Sequence, residues 1–184
     1  MSLVLDGTAG VTFPASQTPS MTAYQGGVLT SGTAVASTSG TSIDFTSIPS
    51  WVKRITVMFN GVSTNGTSPL MVQLITGSSA PTTSGYLGSA NGYFDGSPSG
   101  SVHSAGFKVS SGNAASNLIN GSMIISNVTG NTWAEMSLTS CSNTSNSALS
   151  SGSVPLAAAL TGVRITTVNG TDTFDAGSIN ILYE

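Results

Sequence analysis

Short runs in which apolar and hydroxyl-bearing residues alternate constrain this chain more than any other feature. Of its 184 residues, 57 are Ser or Thr, and 22 Gly interrupt the runs. Helices favour Ala, Leu, Glu, Lys and Arg. Runs of about four to eight residues rich in β-branched side chains and bounded by Gly, Asn or Pro are typical of strands instead. The sequence therefore predicts an all-β protein.

Nine segments of the chain fit this strand pattern. In the clearest of them, Ile55, Val57 and Phe59 alternate with other residues and therefore share one face. Asn60-Gly61 predicts a turn directly after this strand, because both residue types tolerate positive φ. The predicted strands are 34–36, 42–45, 52–59, 70–75, 102–109, 121–127, 133–139, 163–168 and 178–183.

Gly, Asn, Ser and Pro predict loops between these strands, above all at 63–69 and 85–96. The one helix-like stretch, 154–160, is too short to stand alone. Strands and turns at regular spacing predict an antiparallel β-sandwich that is jelly-roll-like. Ser and Thr would cover the solvent face of each strand without charge.

The first residues of the chain differ from the rest. Two runs of three residues around a glycine turn predict tiny strands, which cannot enclose a core of their own. We therefore expect residues 1–26 to form a short extended docking segment with its linker, and residues 27–184 to form the β-sandwich domain. The candidate anchoring residues are Leu3, Leu5, Val11 and Phe13.

Charged residues are scarce: 4 basic and 7 acidic residues give a net charge of −3. Four scattered cations cannot form the basic surface that nucleic acid requires, so no nucleic-acid partner is expected. No apolar run approaches the roughly 18 residues of a membrane helix. The N-terminus lacks the basic flank and the long apolar core of a secretory signal, so we expect no membrane partner either.

Few residues in this chain are candidates for catalysis. Asp172 and Asp175 are the only closely spaced carboxylates, and a turn before the final strand explains them better than a cation site. The single histidine, His103, is expected at a surface or an interface, and the single Cys141 as a small filler near a strand end. One Cys and one His cannot build a structural zinc site. The sequence predicts no enzymatic activity, no metal and no cofactor.

Three aromatic residues in the glycine-rich stretch 85–96 are the best candidates for recognition. Carbohydrate sites combine aromatic faces with amides and hydroxyls, so Tyr86, Tyr93 and Phe94 are candidate glycan or protein contacts. The alternative is that these rings pin a long loop to the sheet. The two tryptophans precede or open strands and are expected in the core or at an interface.

Three stretches of the chain resemble proteins of tailed-bacteriophage virions. The opening, residues 2–14, resembles that of many phage fibre and virion proteins. Residues 32–55, which include the more specific phrase Ile-Pro-Ser-Trp-Val-Lys-Arg-Ile at 48–55, resemble the start of a C-terminal domain found in such proteins. The ending, residues 173–184, is similar to the final strand of that domain.

The resemblance implies a structural component of a tailed-phage virion, made in the host bacterial cytoplasm. It implies a homotrimeric surface fibre or a head decoration protein, attached through its N-terminal segment to capsid or tail proteins. A trimer would bury apolar residues left over on strands, for which the candidates are Met58, Met71, Ile75 and Leu182.

Two alternatives to this role stay open. The first is an adhesin that binds a host surface glycan, as the receptor-binding domain of a tail fibre would. The second is a glycan-degrading tail spike, which would need a carboxylate pair shared between subunits because one chain offers none.

Overall fold

A computed structural model describes residues 29–77 and 80–184 and, at the N-terminus, the backbone of two short strands. Every regular element in this part of the chain is a strand. In chain order the described strands are β1 (Val4–Asp6), β2 (Gly10–Thr12), β3 (Thr30–Ser31), β4 (Val35–Ala36), β5 (Ser42–Thr46), β6 (Arg54–Thr64), β7 (Leu70–Thr76), β8 (Ala80–Pro81), β9 (Leu87–Phe94), β10 (Ser97–Val102), β11 (Phe107–Lys108), β12 (Ile119–Thr129), β13 (Thr132–Cys141), β14 (Ser147–Pro155), β15 (Leu160–Thr167) and β16 (Phe174–Tyr183).

The two N-terminal strands pair with each other. β1 and β2 run antiparallel, with Leu5 opposite Val11, so the predicted pair of tiny strands is confirmed. The other two candidate anchoring residues, Leu3 and Phe13, lie outside the described residues. The division of the chain into a docking segment and a sandwich domain stays a prediction.

Two antiparallel sheets make up the rest of the described structure. The larger sheet has the strand order β10-β9-β14-β13-β12-β6-β16-β3, and β4 also pairs with β16. The smaller sheet has the order β11-β7-β15-β5, and β8 also pairs with β7. Long hairpins such as β12–β13 and β13–β14 form the middle of the larger sheet.

The two sheets enclose one hydrophobic core. The larger sheet contributes alternate residues of β6, β12 and β16, such as Ile55, Met123 and Ile179, and the smaller sheet contributes residues such as Leu74 and Ile165. Each sheet has one apolar face, and stacking the sheets removes the apolar face of each sheet from water. The predicted antiparallel β-sandwich is confirmed, whereas its jelly-roll character stays a prediction.

Strand β6 is longer than predicted. The expected turn at Asn60-Gly61 is wrong, because the strand continues to Thr64 through a β-bulge against β16. Gly61 has a φ of 62° in this bulge, a left-handed conformation that glycine adopts readily. On β16, Gly177 has a φ of 90°, and a Cβ added to it would lie 2.3 Å from the Gly61 carbonyl oxygen. Two glycines therefore let the paired strands bulge at the same point.

Several other predictions of local structure are also wrong. No single strand spans 102–109, because β10 ends at Val102 and β11 holds only two residues. The helix-like stretch 154–160 forms no helix, as its shortness predicted, and connects the end of β14 to the start of β15. The stretch 85–96, predicted as a loop, contains β9 and the turn to β10.

Candidate functional site

An open groove lies at one end of the larger sheet. It lies between the ends of β9, β13 and β14 and the loop that follows β11. Its walls carry aromatic, hydroxyl and amide groups, from residues that include Tyr93, Phe94, Ser110, Asn117, Cys141 and Asn146. Aromatic rings beside polar groups are the lining that suits a neutral, hydroxyl-rich ligand.

The two aromatic residues of the groove differ in their access to solvent. Tyr93 is 49% exposed, so much of its ring is available to a ligand. Phe94 is half-buried, and Gly112 approaches it so closely that an added Cβ would lie 3.0 Å from the ring Cγ. Tyr93 therefore offers an exposed ring on the outward side of β9, whereas Phe94, on the inward side, packs against the backbone of the loop after β11.

Tyr86 does not line the groove, which corrects its assignment as a contact residue. Its side chain is buried, and its ring meets Phe107 edge-on with the centroids 4.8 Å apart. The Leu74 N–H donates a hydrogen bond to the phenol oxygen at 2.8 Å. Burial raises the pKa of Tyr86 to about 12, and the hydrogen bond from Leu74 lowers it in part. Tyr86 therefore fits the alternative interpretation, in which the ring fixes its segment to the sheet.

Asparagine side chains join the walls of the groove. Asn146 accepts a hydrogen bond from the Asp95 N–H at 2.9 Å and donates one to Asn117 at 3.3 Å. Asn117 donates to Asn113 at 3.4 Å, and Asn113 donates to the Thr64 hydroxyl at 3.3 Å. These amides connect the turn between β13 and β14 to the end of β6. Sequence analysis missed them, because Asn is too common in this chain to mark a site.

A cluster of buried polar side chains connects the two sheets. His103 Nε2 lies 3.0 Å from Glu135 Oε1, and both side chains are fully buried. The Lys108 N–H donates to His103 Nδ1 at 3.2 Å, which places the imidazole proton on Nε2, where Glu135 accepts it. Ser150 donates to Glu135 Oε2 at 3.1 Å, and its Oγ lies 2.6 Å from that of Ser137.

This cluster corrects the prediction for His103, which is neither a surface nor an interface residue. The imidazole connects β11 of the smaller sheet, through the Lys108 N–H, to Glu135 on β13 of the larger sheet. Gly152 leaves room for the ring, since an added Cβ would lie 2.6 Å from His103 Cδ2. A substrate in solution cannot reach these buried groups, so the cluster is a structural element of the core.

The candidate carboxylates of the last turn have different surroundings. Asp172 accepts hydrogen bonds from the Ser68 N–H at 2.9 Å and from Asn169 Nδ2 at 2.6 Å, which confirms the turn role predicted for it. Asp175 is exposed, on β16 beyond the buried Phe174. Within the described ranges, no group of three His, Cys, Asp or Glu side chains could hold a metal ion.

Cys141 ends β13 at the groove, where it is half-buried. Burial raises the pKa of its thiol, and a hydrogen bond with Thr144 lowers it in part. A raised pKa disfavours the reactive thiolate. The position at a strand end confirms the predicted placement of this residue.

The outer side of the larger sheet carries large apolar side chains in water. Leu138 of β13 lies opposite Leu149 of β14, and Met136 lies opposite Ser151. Their neighbours along β13, such as Glu135 and Ser137, point inward and are buried. Five residues form what we call the apolar face: Leu87 (66% exposed), Val102 (70%), Met136 (62%), Leu138 (69%) and Leu149 (56%).

For two of the four residues predicted at a trimer contact, the prediction is wrong. Met71 and Ile75 are 5% and 1% exposed, because the chain itself covers them on the smaller sheet. Met58 and Leu182 are half-buried on the larger sheet. Met58 pairs with Ser122, which pairs with Leu138, so Met58 lies on the same outer side as the apolar face.

Comparison with known proteins gives no relative from which to transfer a function. The chain matches no protein-family model, no curated protein and no solved structure. The part of the chain that the structure describes contains no helix long and apolar enough to cross a membrane. A functional proposal therefore depends on the geometry above and on the sequence resemblance.

Proposed function

We propose that the chain is a non-enzymatic structural component of a tailed-phage virion, a homotrimeric surface fibre or decoration protein attached through residues 1–26. The observation that carries this proposal is the placement of the stretches that resemble virion proteins. Residues 32–55 and 173–184 are far apart in sequence, yet β4 pairs with β16, with Val35 opposite Ile179, and Ile55 lies opposite Tyr183. The resembling stretches thus build one structural unit.

Direct contacts connect the residues of this unit. Arg54 forms an ion pair with Glu184, and the N–H groups of Lys53 and Arg54 donate to the Glu184 carbonyl at 2.7 and 2.9 Å. The rings of Trp51 and Tyr183 lie 6.2 Å apart. Because the phrase at 48–55 contacts residues 183–184, one shared structural unit would account for both resemblances.

Deletion of residues 1–26 tests the docking segment. The hydrophobic core that the structure describes is built from residues between Ile43 and Ile181, so we expect the truncated protein to keep the circular dichroism spectrum and the melting temperature of the full chain. We also expect it to be lost from purified virions, which mass spectrometry of the particles measures. Incorporation of folded truncated protein at full stoichiometry would contradict the docking role.

The groove supports a second candidate function, that of a host-glycan-binding adhesin. Tyr93, whose ring is exposed, lines the groove together with the amide-bearing Asn117 and Asn146. We expect Tyr93→Ala to weaken binding to host surface polysaccharide roughly tenfold, the upper end of what one stacked ring contributes. Thr46→Ala, an exposed change on the smaller sheet, is the matched control. Equal affinity of both variants, measured by surface plasmon resonance, would remove the groove as the glycan site.

A further inference from the structure

We infer that the apolar face is the surface through which one copy of this chain packs against another. This inference rests on the proposed homotrimer and names the surface that forms it. The apolar face spans four neighbouring strands, β10, β9, β14 and β13, on the side that points away from the core. Leu138 and Leu149 lie side by side at its centre.

The apolar face is large enough to contribute to a stable interface. At 56% to 70% exposure, each of its five side chains leaves more than half of its area, on the order of 100 Å², in water. Together they present roughly 500 Å², towards the upper end of the largest apolar patch on a typical monomer. A standard interface takes about 800 Å² from each partner, and the Ser and Asn side chains between the apolar ones supply additional area.

Because the apolar face carries no charge, a second copy of the chain is the partner that fits it best. The outward positions of β9, β13 and β14 hold Leu, Met, Tyr, Ala, Ser, Thr, Asn and Pro and no charged residue. When three copies meet around an axis through this face, any charge on the face is brought towards the same charge on the other copies and repels it. A neutral face avoids this repulsion and offers a charged partner nothing to bind. Methionine at the core of a contact and depletion of charge are both typical of interfaces.

The outer side of the smaller sheet is built differently. It carries the ion pair of Arg164 with Asp44, both of whose hydrogen bonds measure 2.7 Å. Its large apolar residues, Met71 and Ile75, are buried by the chain itself. The chain therefore shields the apolar residues of one sheet and leaves those of the other in water, which is expected if a neighbouring copy covers them.

Leu138→Asp in the full chain tests this surface, with Val128→Asp as the matched control. Val128 is also apolar and 61% exposed, but it lies near the end of β12, outside the apolar face. Light scattering coupled to size exclusion should give the wild type and Val128→Asp about three times the 18.4 kDa of one chain. Leu138→Asp should elute as a single chain with an unchanged β-type circular dichroism spectrum.

Leu149→Ser provides a milder second variant, which decides the question if Leu138→Asp does not fold. We expect it to raise the concentration at which the assembly dissociates at least tenfold. Wild-type mass in folded Leu138→Asp, or an unchanged dissociation concentration in Leu149→Ser, would overturn the assignment of the apolar face. A wild type that is a single chain at every concentration would overturn it too. Detection of the protein on virions does not depend on this surface, so failure of the inference is distinguishable from failure of the proposed function.

Discussion

The phenol of Tyr86 lies in the core and accepts a hydrogen bond from the Leu74 N–H. Its pKa, raised by burial to about 12, exceeds the ordinary value of 10.0, so the folded state holds the proton more tightly than the unfolded state does. This contribution to stability is complete below pH 10 and is lost as the pH rises through 12. We expect the free energy of unfolding to fall by about 2–3 kcal/mol over that interval.

Urea denaturation between pH 8 and 12 measures this loss. Tyr86→Phe leaves the Leu74 N–H without its acceptor, so at pH 8 it should be less stable by about 1–3 kcal/mol, with a much smaller decline above pH 10. Tyr93→Phe, at an exposed ring, should keep the wild-type profile. Equal declines in wild type and Tyr86→Phe would show that other groups cause the loss.

Burial decides which single residues could be assigned from the sequence. Asp172 and Cys141 were placed correctly, because their roles depend on the turn or strand end in which they lie. His103 was placed wrongly, because its burial depends on Glu135, 32 residues further along the chain, and on the space beside Gly152. No local pattern of residues reports such a partner.

The bulge shared by β6 and β16 predicts how much stability two glycine substitutions cost. Nothing lies within 4 Å of a Cβ added to Gly61, so Gly61→Ala should cost only the strain of its positive φ, about 1–2 kcal/mol. Gly177→Ala adds a collision with the Gly61 carbonyl and should cost about 1–3 kcal/mol more. Chemical denaturation measures both variants, and a Gly177→Ala protein as stable as Gly61→Ala would contradict the close packing of the bulge.

Strands were predictable where apolar residues mark the buried face. β6, β12 and β16 follow this rule, and so does β15 around Val163 and Ile165. β9 and β14 do not, because their inward positions hold small residues such as Ala90 and Ser150, while Leu87 and Leu149 point outward. In such strands the apolar residues of the sequence pattern mark the exposed face rather than the buried one, or the pattern is too weak to predict a strand.

At the scale of the whole molecule, the two halves of the larger sheet, towards β3 and towards β10, carry different features. One edge is formed by β6, β16 and the short strands β3 and β4, where residues 32–55 meet residues 173–184. The half towards β10, formed by β10, β9, β14 and β13, carries the apolar face and the groove with Tyr93. Tyr93 and Phe94, which the sequence marks as candidate contacts, both line the groove, but no sequence pattern marks the asparagines of the groove or the apolar face. Both are produced by pairing strands that are distant in the chain.

Electron microscopy of purified virions labelled with gold-conjugated antibody against this protein shows directly whether it is a virion component. We predict gold on intact particles at one fixed position, with a low copy number if the protein belongs to the tail and a high one if it decorates the head. Particles from a phage that lacks the gene provide the control. Labelling no higher than on those control particles, with the protein detected only in the soluble lysate, would contradict a structural role in the virion.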